Sequence, residues 1–505
     1  MSNENELKPI GRSSTFVKAL LILATTMSAQ ASAGAARALS PHDGMPTSRE
    51  IFGYVQDITD FGPRRTGSQA NIETASYIAD KFRQAGLTDV SIEKGKTYQW
   101  SATKWGLEAG GVESPAFYMR HSFHRGQAGP FRTPQGGLKA PLIYVGNKKD
   151  LSGIDVKGKI VVADVELGQL DMKQILGAAT AVHDPDRTLP TGKKLDPFTP
   201  NNFPYNVASA MKGGAVGFVG VLNNYIDSNR FYNEDLDYFM DDKPMNIPGL
   251  WVTKKDGERL KELARRSSGA QASLVLEGSV DSVQYRTVVG FLPGRSPETL
   301  MVQSHHDSGF AGAVEDASGT AAVIALAKYY GKQPPRSRKR SLMFAVMDTH
   351  FTGYESHVDL AKKFILSQAV DVVANVTVEH IAREMVIENG QAKMTGLVEP
   401  RVLLTSPSLV DLAGRAIKKR DYRRSLVVGT ELFKHEEGIP TDFGVIQKLT
   451  GIPVISLISA PAYLYDISDT LDKVAEEELQ PTALLAADLL DGLDAMPKGT
   501  LGHDK

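Results

Sequence analysis

Apolar residues recur at helical spacing between positions 48 and 87: Ile51, Tyr54, Val55 and Ile58, then Ile72, Ala75, Ile78, Ala79 and Phe82. Repetition at i, i+3, i+4 and i+7 predicts two amphipathic helices. The stretch Phe61-Gly62-Pro63-Arg64-Arg65-Thr66-Gly67-Ser68 between them breaks the pattern with turn formers. A short alternating run at 90–93 predicts an edge strand. From 139 to 280 the pattern becomes short β-rich runs at 141–145, 159–163 and 215–221, then a helix at 255–265 and a strand at 272–276. This reads as an inserted β-rich unit, with the proline-rich stretch 184–204 as a long mobile loop or lid.

Beyond residue 286 continuous apolar runs at 299–303, 341–347, 372–378 and 453–458 alternate with helical patterns at 319–330, 357–367, 406–420 and 474–490. Strands apolar on both faces and separated by helices predict an α/β domain with a mostly parallel central sheet. In such sheets ligands bind beyond the carboxyl ends of the strands, so the polar residues just past each run are where chemistry belongs.

Composition narrows the chemistry. The chain has 505 residues, 42% hydrophobic and 23% charged, which sets aside disordered and fibrous classes. Fifty-seven basic against 59 acidic residues leave a net charge of -2, so no basic excess favours a nucleic-acid partner. There is no cysteine, which removes thiolate metal sites, disulfides and cysteine nucleophiles and directs attention to the 11 histidines. At the N-terminus Arg12 and Lys18 precede the apolar run 19–24, and small residues end at Ala31-Ser32-Ala33. The order is that of a signal peptide over 1–33, with export and no stable membrane anchor after cleavage as the expectation.

The strand ends supply Ser304-His305-His306-Asp307-Ser308, Asp348-Thr349-His350-Phe351 and Glu379-His380, to which Glu315-Asp316-Ala317-Ser318-Gly319 adds carboxylates just before a helix. Histidine and carboxylate at several strand ends suit a divalent cation, with zinc the usual occupant. Asp307, two residues after His305, is placed to accept the second ring N–H and fix the tautomer.

With these residues in view the sequence resembles the M28 zinc aminopeptidases. The core pattern of that family is His-x-Asp, Asp-x-x-Ser-Gly, a Glu-Glu pair, a single carboxylate, and a His before an Asp-Thr. Phe61 to Ser68, Gly451-Ile452-Pro453 and Asp469-Thr470-Leu471-Asp472 resemble further family signatures, and 153–161 with 213–217 is similar to a protease-associated domain. The resemblance implies a phosphorylase/hydrolase-like three-layer α/β catalytic domain built from 46–138 and 286–495, with 139–280 inserted. It implies peptide substrates, zinc held by His305, Asp316 and Glu379, and Asp307 orienting His305.

The resemblance breaks where a second ion belongs. His350 and Phe351 stand at the Glu-Glu pair, and Tyr465 stands at the last ligand histidine. In one reading a single zinc activates water and His350 replaces the missing glutamate as general base. In another, His350 turns inward as a fourth ligand, or His380, His435, Asp442 or Asp466 completes a second site. In a third, the protein is a catalytically inactive secreted binding protein. A hydrolase of the cyclotransferase type is a further alternative.

Overall fold

In a computed structural model of the protein the described residues are 42–504, apart from 125–126, 235–243, 267–268, 389–390 and 434–438. The expected leader at 1–33 and the alternative ligand His435 lie outside them.

The apolar runs form the centre of a large mixed sheet. Strand Ser296–His305 pairs in parallel with Arg340–Met347 on one side and Asp371–Val378 on the other. Val454–Ser459 continues the parallel order beside Asp371–Val378. Successive side chains of a strand point to opposite faces, and here both faces are covered. Leu300, Val302, Leu342 and Phe344 pack into one apolar cluster, while Met301, Met343, Ala345 and Met347 pack into another. Helices Ser48–Thr59, Gln69–Gln84, Gly319–Gly331 and Glu476–Ala495 cover the first face. Leu360, from helix Glu355–Leu360, and Ile446, from helix Gly444–Thr450, pack into the second. The first helix starts at a capping box, in which Thr47 and Glu50 satisfy each other's backbone N–H groups.

The edge strand expected at 90–93 is much longer. Thr88–Ala109 runs antiparallel along Gln271–Leu292, and each strand has 22 residues. Lys94, Lys96 and Lys104 interrupt the apolar signal of the first, because part of this ribbon faces solvent. Further along, Gln271–Leu292 also pairs with Leu138–Tyr144, the first of four parallel strands of the insert, which continue through Ile160–Val165, Gly217–Leu222 and Gly249–Thr253. Within 184–204, Lys193–Pro200 is a strand pairing antiparallel with Leu167–Asp171, so this stretch is a hairpin arm instead of a structureless loop. Between the arms of that hairpin, Ala181–His183 pairs with Ser425–Gly429 at the far edge of the large sheet.

Candidate metal centre

Strand Ser296–His305 ends on His305, Arg340–Met347 leads into 348–351, and Asp371–Val378 leads into Glu379 and His380. Because the three strands are parallel, their carboxyl ends open onto one rim.

The loop 306–318 is held onto this rim from two directions. The buried guanidinium of Arg64 donates to the carbonyls of His306 at 2.7 Å and Gly312 at 2.9 Å, and also to that of Ala311. Asp469 accepts the backbone N–H groups of Val314 and Glu315, both at 2.9 Å. The turn requires glycine at 312: φ is +56°, and a Cβ there would lie 2.2 Å from the Glu315 carbonyl oxygen. The Gly-Pro-Arg and Asp-Thr motifs therefore act on the loop, away from the reacting atoms.

Held this way, the loop aims Glu315 at the histidines. Nε2 of His305 lies 3.4 Å from Glu315 Oε1, and Nε2 of His380 lies 2.6 Å from Oε2. These atoms are buried, and none makes a hydrogen bond of acceptable geometry with another described residue. His305, Glu315 and His380 form a group whose ligand atoms all lie within 4.8 Å of one another; His305, His350 and Asp442 form a second such group. The electrostatics call for positive charge here. Burial alone would strip the His380 proton, yet the charge of Glu315 raises its pKa to about 9. Burial likewise opposes ionisation of Glu315, and the charge of His380 is the largest influence against it, so that the group is held far below the usual carboxylate range. Two imidazole nitrogens and a carboxylate are a donor set suited to zinc, so the residues present fit such an ion.

Asp307 lies with Oδ1 3.3 Å from Nδ1 of His305, while Oδ2 accepts the Phe351 N–H at 3.1 Å. That arrangement leaves Nε2 of His305 as the nitrogen facing Glu315, the one that could hold an ion. Asp316, expected as a ligand, is not brought into the cluster. Its carboxylate accepts the Ser304 hydroxyl at 2.6 Å and the N–H groups of Gly319 and His380 at 3.1 Å. It therefore caps the helix that begins at Gly319 and ties it to the neighbouring strand end. Glu379, also expected as a ligand, faces the Ser456 hydroxyl at 3.3 Å and belongs to neither ligand group. Its neighbour His380 is the residue that reaches the centre.

His350 sits at the rim with its ring stacked on His305, centroids 4.4 Å apart and planes at 13°. Nδ1 meets Asp442 Oδ1 at 2.7 Å, which leaves Nε2 facing the centre, 3.4 Å from Glu315 Oε1. Phe351 packs into an aromatic wall, edge-on to Tyr232 and Tyr465 at 5.4 and 5.5 Å. Tyr465 donates its hydroxyl to Glu234, a residue of the insert. Phe198, on the hairpin arm, lies over the His380 ring at 6.1 Å and meets Tyr465 at 5.5 Å. A small pocket lined by Tyr232, Phe310, Phe351 and Tyr465 reaches Glu315.

Sequence reasoning passed over Glu315 although it adjoins Asp316. Glu234 carried no signal, because no pattern links a loop of the insert to the strand ends.

Residues 287–490 match Peptidase family M28. Similar solved structures include an aminopeptidase from Aneurinibacillus sp. strain AM-1, with TM-score 0.59, 17% identity and coverage of 91% of this chain and 96% of that one. The zinc aminopeptidase BSAP from Bacillus subtilis has TM-score 0.62 and 16% identity, covering 91% and 99%. A Peptidase M28 precursor from Shewanella amazonensis SB2B has TM-score 0.66 and 17% identity, covering 88% and 93%. At these identities the likeness is one of fold. No curated protein matches the chain.

Proposed function

From the match of residues 287–490 to Peptidase family M28 we propose that the protein is an exported zinc metallopeptidase that removes N-terminal residues from peptides. The observation that carries this reading is the convergence of His305 Nε2, the Glu315 carboxylate and His380 Nε2, all buried and without a hydrogen-bond partner among the described residues. Export rests on the leader-like order of Arg12, Lys18, the apolar run and Ala31-Ser32-Ala33. One ion at His305, Glu315 and His380 is the arrangement proposed, because Phe351 and Tyr465 are committed to the aromatic wall and to Glu234.

A zinc ion bound there would polarise the scissile carbonyl and bring a water's pKa to about 7. The chain supplies the proton path. The Nδ1–H of His350 donates to Asp442, so Nε2 keeps its lone pair toward the centre and takes the proton of the attacking water. The same nitrogen then delivers that proton to the departing amine. Phe198 and the pocket aromatics shield the site from bulk water, which strengthens each electrostatic contact within it.

A binding protein that has lost turnover is the second reading, favoured by Phe351 at a carboxylate position of the resemblance. Metal analysis together with hydrolysis of aminoacyl anilides separates the two. About one zinc per chain with turnover abolished by His305→Ala supports the enzyme; bound zinc without turnover supports the binding protein; neither metal nor turnover removes the zinc reading altogether.

A further inference from the structure

Given zinc held by His305, Glu315 and His380, the reading on which this rests, we infer that Lys194, on the hairpin arm at 193–200, is a positioning residue that fixes His380 for metal binding.

His380 needs such support. Its backbone has a φ of +55°, a left-handed conformation that histidine seldom adopts and that the surroundings must therefore maintain. Its ring is aimed by a bond to backbone: Nδ1–H donates to the Ser459 carbonyl at 2.8 Å, which leaves Nε2 turned toward Glu315. The Ser459 hydroxyl returns a bond to the His380 carbonyl at 2.6 Å. The direction of Nε2 therefore depends on where two stretches of backbone lie, the one that runs on from His380 and the one that runs on from Ser459.

Lys194 grips both. Its Nζ donates to the carbonyl of Ala460, next in the chain to Ser459, at 2.8 Å. The same Nζ lies 2.5 Å from Oε1 of Glu399, and the Glu399 N–H donates to the carbonyl of Ala382, two residues after His380, at 2.9 Å. The Lys194 side chain is 8% exposed and that of Glu399 1%, so salt and water screen this pair little. Four residues further along the same strand, Phe198 lies over the His380 ring itself. One strand thus bears on the backbone that follows His380, on the backbone that orients its ring, and on the ring.

Zinc affinity measured by chelator competition on the full chain, with the absorption spectrum of the cobalt-substituted protein beside it, tests the role. Lys194→Met should weaken zinc binding by about 10- to 100-fold, the loss expected when the support of a metal-ligating histidine is removed, and should shift the cobalt bands. Lys194→Arg, which keeps the charge and the donors, should restore most of the affinity. His183→Ala breaks the 2.7 Å contact with Asp421 that joins the same hairpin to the sheet edge, and should leave affinity and spectrum unchanged. Where Glu399, buried and left unpaired, unfolds the single variant, Lys194→Met combined with Glu399→Met removes both charges and should show the same loss of affinity. Affinity within about threefold of the intact protein in folded Lys194→Met, or an equal loss in Lys194→Arg or His183→Ala, would overturn the positioning role whatever the change in Tm. No zinc in the intact protein would instead remove the metal reading, and the role of Lys194 with it.

Discussion

His350 and Asp442 meet at 2.7 Å across 92 residues of chain, joining the turn after one central strand to the start of helix Gly444–Thr450. The contact fixes which imidazole nitrogen faces the centre. Asp442→Ala should lower kcat by about 10² to 10⁴, the range expected when a positioned base is lost, while zinc content stays near that of the intact protein. His350→Ala should behave alike, and the double variant should be no worse than either single one. Zinc lost together with kcat would show that these residues hold the ion instead.

Glu315 and Asp316 are adjacent carboxylates with opposite assignments. Glu315→Gln should abolish stoichiometric zinc binding with little change in fold. Asp316→Ala leaves the Ser304, Gly319 and His380 donors without their shared acceptor and should destabilise by about 1–3 kcal/mol while zinc remains. Metal analysis alongside denaturant unfolding of the two variants reads both outcomes.

Arg64 satisfies backbone carbonyls along the loop that carries Glu315. Arg64→Met keeps much of the side-chain volume but leaves those buried carbonyls unsatisfied, at a cost of about 2–4 kcal/mol. A lower Tm accompanied by weaker zinc retention during dialysis against a chelator is the expected result. An unchanged Tm would show that the loop holds itself.

Acid stability should depend on Asp488. Burial opposes its ionisation, but His42 at 2.9 Å and the guanidinium of Arg420 hold its pKa down at about 2, below the usual 3.8. A depressed folded-state value means the stabilisation is complete above the unfolded pKa and is lost as pH falls from about 4 toward 2. Asp488→Asn should therefore be clearly less stable than the intact protein at pH 7, with the gap closing across that window. Denaturant midpoints at pH 7, 4 and 2.5 check it.

The central strands and the helix at 319–330 were legible because each is continuous apolar sequence long enough to bury both faces, a local property. The ribbon Thr88–Ala109 with Gln271–Leu292 was legible only in fragments, since its solvent-facing residues carry no period that separates it from loop. At the site, His305 and His350 stood out by following apolar strands. The side-chain directions of Glu315 and Asp316 depend on the path of a tight loop that Arg64 and Asp469 impose from elsewhere in the chain. Asp442 and Glu234 come from segments whose proximity exists only in three dimensions.

The three residues Ala181–His183 complete the large sheet at Ser425–Gly429, next to Arg401–Thr405. A bare strand edge invites pairing with another chain. Residues 139–280 thus shield that border as well as placing Phe198 over His380. A trimmed protein lacking 139–280 would expose an adhesive border on one flank and an unroofed centre on the rim, and self-association should set in before any gain in access is measurable.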